Sequence, residues 1–136
     1  MFAMALKQLK TPLVAETRLL PEPGPGQLRL EVQACGVCRT DLHVVDGELP
    51  LLRPGVIPGH EIVGVVEAVG AGVASSLIGR RLGAGWLGQT CGRCGYCIAG
   101  EENLCDEPGF NGWTLDGGYA DAVIARADFC FPIPDA

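Results

Sequence analysis

Gln27-Leu28-Arg29-Leu30-Glu31-Val32-Gln33-Ala34 reads as one strand. Leu28, Leu30, Val32 and Ala34 alternate with Gln27, Arg29, Glu31 and Gln33. A period of two puts the first set on a buried face and the second toward water. Upstream, Pro21-Glu22-Pro23-Gly24-Pro25-Gly26 can continue neither a helix nor a ladder. Before that breaker, Leu13-Val14-Ala15-Glu16-Thr17-Arg18-Leu19 reads as another strand. Downstream, Ile62-Val63-Gly64-Val65-Val66-Glu67-Ala68-Val69 is a β-rich run expected to be buried on both faces. Further strands are expected at 79–82, 118–125 and 128–133. One short helix is expected over 38–46, ending at Gly47. Residues 49–58 form a loop with three prolines, and 88–112 an irregular lobe. The expected fold is mainly β with short helices.

Composition agrees. The 136 residues fit one domain, and 48% hydrophobic content is enough for a packed core. Twenty glycines and ten prolines suit a turn-rich β fold. A net charge of −6 is a poor match for phosphate backbones, so no nucleic acid is expected as a partner. No apolar run approaches the roughly 18 residues of a membrane span, and residues 1–7 do not read as a secretory leader. The expected compartment is cytoplasmic. Pro132-Ile133-Pro134-Asp135-Ala136 reads as a linker-like ending.

Seven cysteines and two histidines carry the chemistry. An odd cysteine count without an export signal favours metal over disulfides. Cys91, Cys94, Cys97 and Cys105 show the strongest spacing, with Gly92 and Gly95 supplying the turns that aim sulfurs at one point. Four thiolates close a tetrahedron around zinc, which makes a structural site; an iron–sulfur cluster also uses closely spaced cysteines. The larger apolar residues inside this lobe are only Tyr96, Ile98 and Leu104, so the metal has to stabilise it.

A second group lies apart. Cys38 opens the helix and His60 opens a strand, and both stand at element ends. Cysteine, histidine, a third ligand and a water make a catalytic zinc site. Thr40 could set its hydroxyl beside whatever binds that metal, or cap the helix. Asp41 could orient His60 through its second ring nitrogen, or place charge in the first helical turn. Gly83-Ala84-Gly85-Trp86-Leu87-Gly88 matches a dinucleotide fingerprint, but Gln89-Thr90-Cys91-Gly92 follows and no helix can start there.

Gly36-Val37-Cys38-Arg39-Thr40-Asp41-Leu42-His43, then Pro58-Gly59-His60-Glu61, then the four-cysteine lobe, resemble zinc-dependent medium-chain alcohol dehydrogenases. Val69-Gly70-Ala71-Gly72-Val73 and Asp116-Gly117-Gly118-Tyr119-Ala120 are similar to the same family, and the matches run in order from Gly26 to Asp135. The resemblance implies a GroES-like catalytic domain over 1–136, a distorted β-barrel with the lobe at about 88–112. It implies a catalytic zinc on Cys38 and His60 with Glu61 beside it, and a structural zinc on the four lobe cysteines. Thr40 would hydrogen-bond the substrate oxygen, His43 would pass its proton to solvent beyond the cofactor ribose, and Arg39 would contact the pyrophosphate of NAD or NADP. Trp86 would line the substrate pocket or be a core tryptophan. The substrate would be a small-molecule alcohol or aldehyde, and the full-length enzyme a homo-oligomer. Two departures stand out. Arg80 occupies a place the family often gives to an acidic residue. The nucleotide-binding domain and the third protein ligand of the catalytic zinc are not in this chain, so inactivity by itself is expected. The alternative is a stand-alone zinc-stabilised GroES-like binding module.

Overall fold

The computed structural model describes residues 1–134; Asp135 and Ala136, the end of the linker-like stretch, lie outside the described residues. In chain order the strands are β1 (Phe2–Ala5), β2 (Val14–Thr17) and β3 (Gln27–Gly36), followed by the helix α1 (Arg39–Asp46). Then come β4 (Glu61–Val69), β5 (Arg81–Ala84), β6 (Leu87–Gln89), the helix α2 (Gly95–Ala99), β7 (Gly109–Phe110), β8 (Ala122–Arg126) and β9 (Cys130–Pro132). Five strands make one antiparallel sheet in the order β8-β3-β4-β5-β9, while β1-β2 and β6-β7 form separate pairs.

The mainly β expectation therefore stands, but among the described residues the sheets do not close into one barrel. β8 and β9 remain edges of the five-stranded sheet. Beside β1-β2, single bridges pair Ala3 with Ala120 and Leu6, just beyond β1, with Val56.

Alternation builds the main core. Leu28 and Leu30 from β3 meet Ile62 and Val66 from β4, Leu82 and Ala84 from β5, and Val123 and Ala125 from β8. Leu6, Val44 and Val56 form a second cluster, with Trp86 and Trp113 packed against it.

Several boundaries and faces depart from the sequence reading. Gln33 is a bulge, so pairing resumes at Ala34–Val63 and the phase flips. Ala34 is exposed and Cys35 turns toward the core instead. β4 alternates rather than burying both faces: Ile62, Gly64 and Val66 are inside, Val63 and Val65 only partly so. The 79–82 strand begins at Arg81, because Gly79 sits at φ +82° in the turn before it. The 118–125 strand begins at Ala122, because Gly117, Gly118 and Tyr119 donate their N–H groups to Ile57, Gly59 and Pro58 carbonyls. The 128–133 strand shrinks to β9 behind a 3-10 turn at Ala127–Phe129. β1 had no clear signal. Residues 83–88 are strand, turn and strand, so the fingerprint look-alike meets no helix.

At Gly64 the paired strand's backbone leaves no room for a side chain. A Cβ there would lie 2.5 Å from the Glu31 carbonyl oxygen, which the ladder cannot move. Gly64→Ala is expected to cost about 1–3 kcal/mol, read as a lower denaturation midpoint at unchanged m-value.

Candidate functional site

The β3–β4 register assembles the first group of candidate ligands. Gly36 pairs with Glu61, so Cys38 two residues beyond one strand and His60 just before the other are brought to the same edge. Cys38 sits at the N-cap of α1 with extended backbone. The ligand atoms of Cys38, His60 and Glu61 all lie within 4.8 Å of one another. His60 is buried, Cys38 half-buried and Glu61 exposed, which leaves an open side. The Glu61 carboxylate folds over Gly36, where any Cβ would overlap it.

Asp41 holds this edge together. Its Oδ2 accepts the Cys38 N–H at 2.9 Å, and its Oδ1 accepts the Gly59 N–H at 3.1 Å. The same Oδ1 lies 3.1 Å from His60 Nδ1. A carboxylate only accepts, so Nδ1 carries the proton and Nε2 keeps the lone pair a metal needs. Thr40 lies at the second position of α1, not at its cap, and its Oγ1 is 3.8 Å from Cys38 Sγ. His43 follows one turn later. Its Nδ1 is 2.5 Å from Glu48 Oε2, close but outside hydrogen-bond alignment. Arg39 opens α1, exposed and without an ion pair among the described residues.

Trp86 lies between His60 and the second core cluster. Its ring meets His60 edge to face at 5.0 Å, stacks on Phe110 at 4.9 Å and lies parallel to Trp113 at 6.1 Å. It is thus a wall of the His60 site and part of the second core cluster. The sequence gives no signal for Trp113 and names Tyr119 only inside the Asp116–Ala120 motif, without a role; its hydroxyl donates to Asp41 Oδ2 at 3.0 Å. Burial and the Asp41 carboxylate push that phenol well above its ordinary range, so it remains a donor. The usable signal was Gly117-Gly118 beside it: a Cβ at Gly117 would overlap the Gly59 carbonyl.

The second group is the lobe. Cys91 follows β6, Cys94 caps α2, Cys97 lies within it and Cys105 follows a 3-10 turn. Their sulfurs also lie within 4.8 Å of one another, with Cys91 and Cys97 at 4.0 Å. A zinc tetrahedron with ~2.3 Å bonds needs sulfurs about 3.8 Å apart, so the donor set fits. Backbone N–H groups of Cys91 and Glu107 point at Cys105 Sγ, and that of Cys94 at Cys91 Sγ. Backbone N–H groups of Asp106 and Cys97 lower the Cys94 thiol to about 6, whereas burial pushes Cys35 and Cys130 up to about 11. In the metal-free chain at pH 8, a thiol reagent is expected to label the four cysteines of the opened lobe first and the buried Cys35 and Cys130 last, by peptide mass mapping. Uniform labelling would refute that order.

Comparison with known proteins gives a family. A family model described as alcohol dehydrogenase GroES-like domain matches residues 24–135. An alcohol dehydrogenase of Geobacillus stearothermophilus is 43% identical over 136 residues, covering 99% of this chain and 40% of that protein. The chain spans about two fifths of the length of the curated relatives it matches. A cobalt- and zinc-bound thermostable alcohol dehydrogenase from Pyrobaculum aerophilum matches with a TM-score of 0.87 at 30% identity, over 96% of this chain and 40% of that one. Acetophenone reductase from Geotrichum candidum in complex with NAD matches with a TM-score of 0.87 at 30% identity, over 99% and 40%.

Proposed function

Because the chain belongs to the alcohol dehydrogenase GroES-like domain family, we propose that it is the metal-holding catalytic unit of a zinc-dependent, nicotinamide-linked alcohol dehydrogenase. The observation that carries this reading is the convergence of Cys38, His60 and Glu61 to within 4.8 Å, with the Thr40 hydroxyl 3.8 Å from the Cys38 sulfur. A pure scaffold needs no such open, mixed-ligand site, which disfavours a stand-alone binding module.

Cys38 and His60 would hold the catalytic zinc, with Glu61 as a third donor, and the four lobe cysteines would hold a structural one. Zinc supplies Lewis acidity toward an alcohol oxygen, and NAD or NADP takes up the hydride. The chain's own residues handle the proton. Thr40 accepts it from the alcohol and releases its own toward His43, one helical turn along. His43, half-buried on α1, would pass that proton on toward solvent. Asp41 keeps His60 in the tautomer that leaves Nε2 free. Arg39, exposed and unpaired among the described residues at the start of α1, is available for the cofactor pyrophosphate. Trp86 forms one wall of the site for a small alcohol or aldehyde. A homo-oligomeric, cytoplasmic enzyme completes the reading; among the described residues no helix is long and apolar enough to cross a membrane.

The test is made in the dehydrogenase that carries this domain. Thr40→Ala is expected to lower kcat by about a hundredfold with zinc content unchanged, while Thr40→Ser retains most activity. Full turnover in Thr40→Ala would overturn the proton route.

A further inference from the structure

We propose that Tyr119 is a positioning residue for the Cys38–His60–Glu61 metal site, acting through Asp41. The inference rests on the metal-site reading above and adds a residue to it.

Asp41 has two oxygens and four donors. Oδ1 receives Gly59 N–H and faces His60 Nδ1, while Oδ2 receives Cys38 N–H and the Tyr119 hydroxyl. Three of these donors come from segments that themselves carry the ligands. Tyr119 comes from 78 residues further along the chain. Without it, Oδ2 keeps one partner, and the carboxylate can turn about its Cβ–Cγ bond and carry Oδ1 off the His60 ring.

Tyr119 is itself held on both sides. Its N–H donates to Pro58 at 3.0 Å and its carbonyl accepts from Met4 at 2.8 Å. Its ring packs against Gly59 and leaves no room for a side chain there: a Cβ would sit 2.6 Å from Tyr119 Cδ1. The hydroxyl thus arrives between the Gly36 carbonyl at 3.4 Å and Asp41 at 3.0 Å, and donates to the nearer, charged acceptor. Both peptide groups and the ring being fixed, the hydroxyl is a stop that sets the carboxylate plane.

The experiment loads the purified dehydrogenase that carries this domain with cobalt(II) and follows two spectra. The four-thiolate lobe and the mixed cysteine, histidine and carboxylate site differ in thiolate charge-transfer intensity, so each reports separately. Wild type, Tyr119→Phe, Asp41→Asn and the double variant are titrated against a chelator. Tyr119→Phe is expected to weaken cobalt at the mixed site about tenfold, with the lobe and the thermal midpoint near wild type. In the Asp41→Asn background the same change is expected to add little, because its effect passes through Asp41. Wild-type affinity at the mixed site in Tyr119→Phe overturns the proposal, and so does equal weakening of both sites, which marks a general structural role. Failure of wild type to bind cobalt at the mixed site is a different result, and it sinks the metal-site reading itself.

Discussion

Removing metal from the four-cysteine lobe, by chelator or by Cys97→Ser, is expected to unfold residues 91–105 while the five-stranded sheet stays intact. The lobe has almost no core of its own. Ile98 is 77% exposed, and Tyr96 and Leu104 are also on the surface. Its helix α2 has five residues, far below the length at which a helix holds itself in water. Ordering each residue costs about 1–2 kcal/mol, and few buried contacts oppose that. A structural zinc contributes an apparent ~10–16 kcal/mol, enough to decide the balance. The remaining hydrogen bonds from Cys91, Cys94 and Glu107 all end on sulfur, so they have no purpose without the cluster. Limited proteolysis and hydrogen exchange would read the effect as cleavage and loss of protection confined to the lobe. A lobe that stays protected without metal would show that packing, not coordination, holds it.

Asp41→Ala is expected to be among the most damaging single substitutions, costing about 3–5 kcal/mol and abolishing metal binding at Cys38 and His60. Asp41 is 3% exposed and serves Cys38 N–H, Gly59 N–H, His60 Nδ1 and Tyr119 Oη. Truncation strands four donors in a buried pocket. It also frees the N-terminus of α1 from the loop before β4, so the two ligands lose their common anchor. Asp41→Asn keeps the shape and two acceptor positions, and should lose less stability than metal affinity. Denaturation at constant m-value gives the first quantity and metal content after gel filtration the second. A loss below about 1 kcal/mol with metal retained would mean that water satisfies these donors and that Asp41 is no anchor.

Much of this protein is legible residue by residue. The alternation of Leu28, Leu30 and Val32 determines a strand because side chains on a pleated backbone repeat every two residues. Gly47 ends α1 at φ +77°, as a residue without Cβ should. The spacing of Cys91, Cys94 and Cys97 brings sulfurs together through turns a few residues long. All three depend on near neighbours only.

What the sequence left open depends on partners far along the chain. Whether Ala34 or Cys35 faces inward turned on the bulge at Gln33, which slips the register by one. The meeting of Cys38 with His60 required the Gly36–Glu61 pairing, and the wall beside His60 required Trp86 to stack on Phe110 and Trp113 from the far side of the lobe. Tyr119 reached Asp41 only because its backbone bonds the loop at Pro58 in place of extending β8. Local sterics and spacing determine elements and short-range clusters. Register, bulges and long-range hydrogen bonds are decided when the sheet packs, since each pairing gains its stability from neighbours that no single stretch contains.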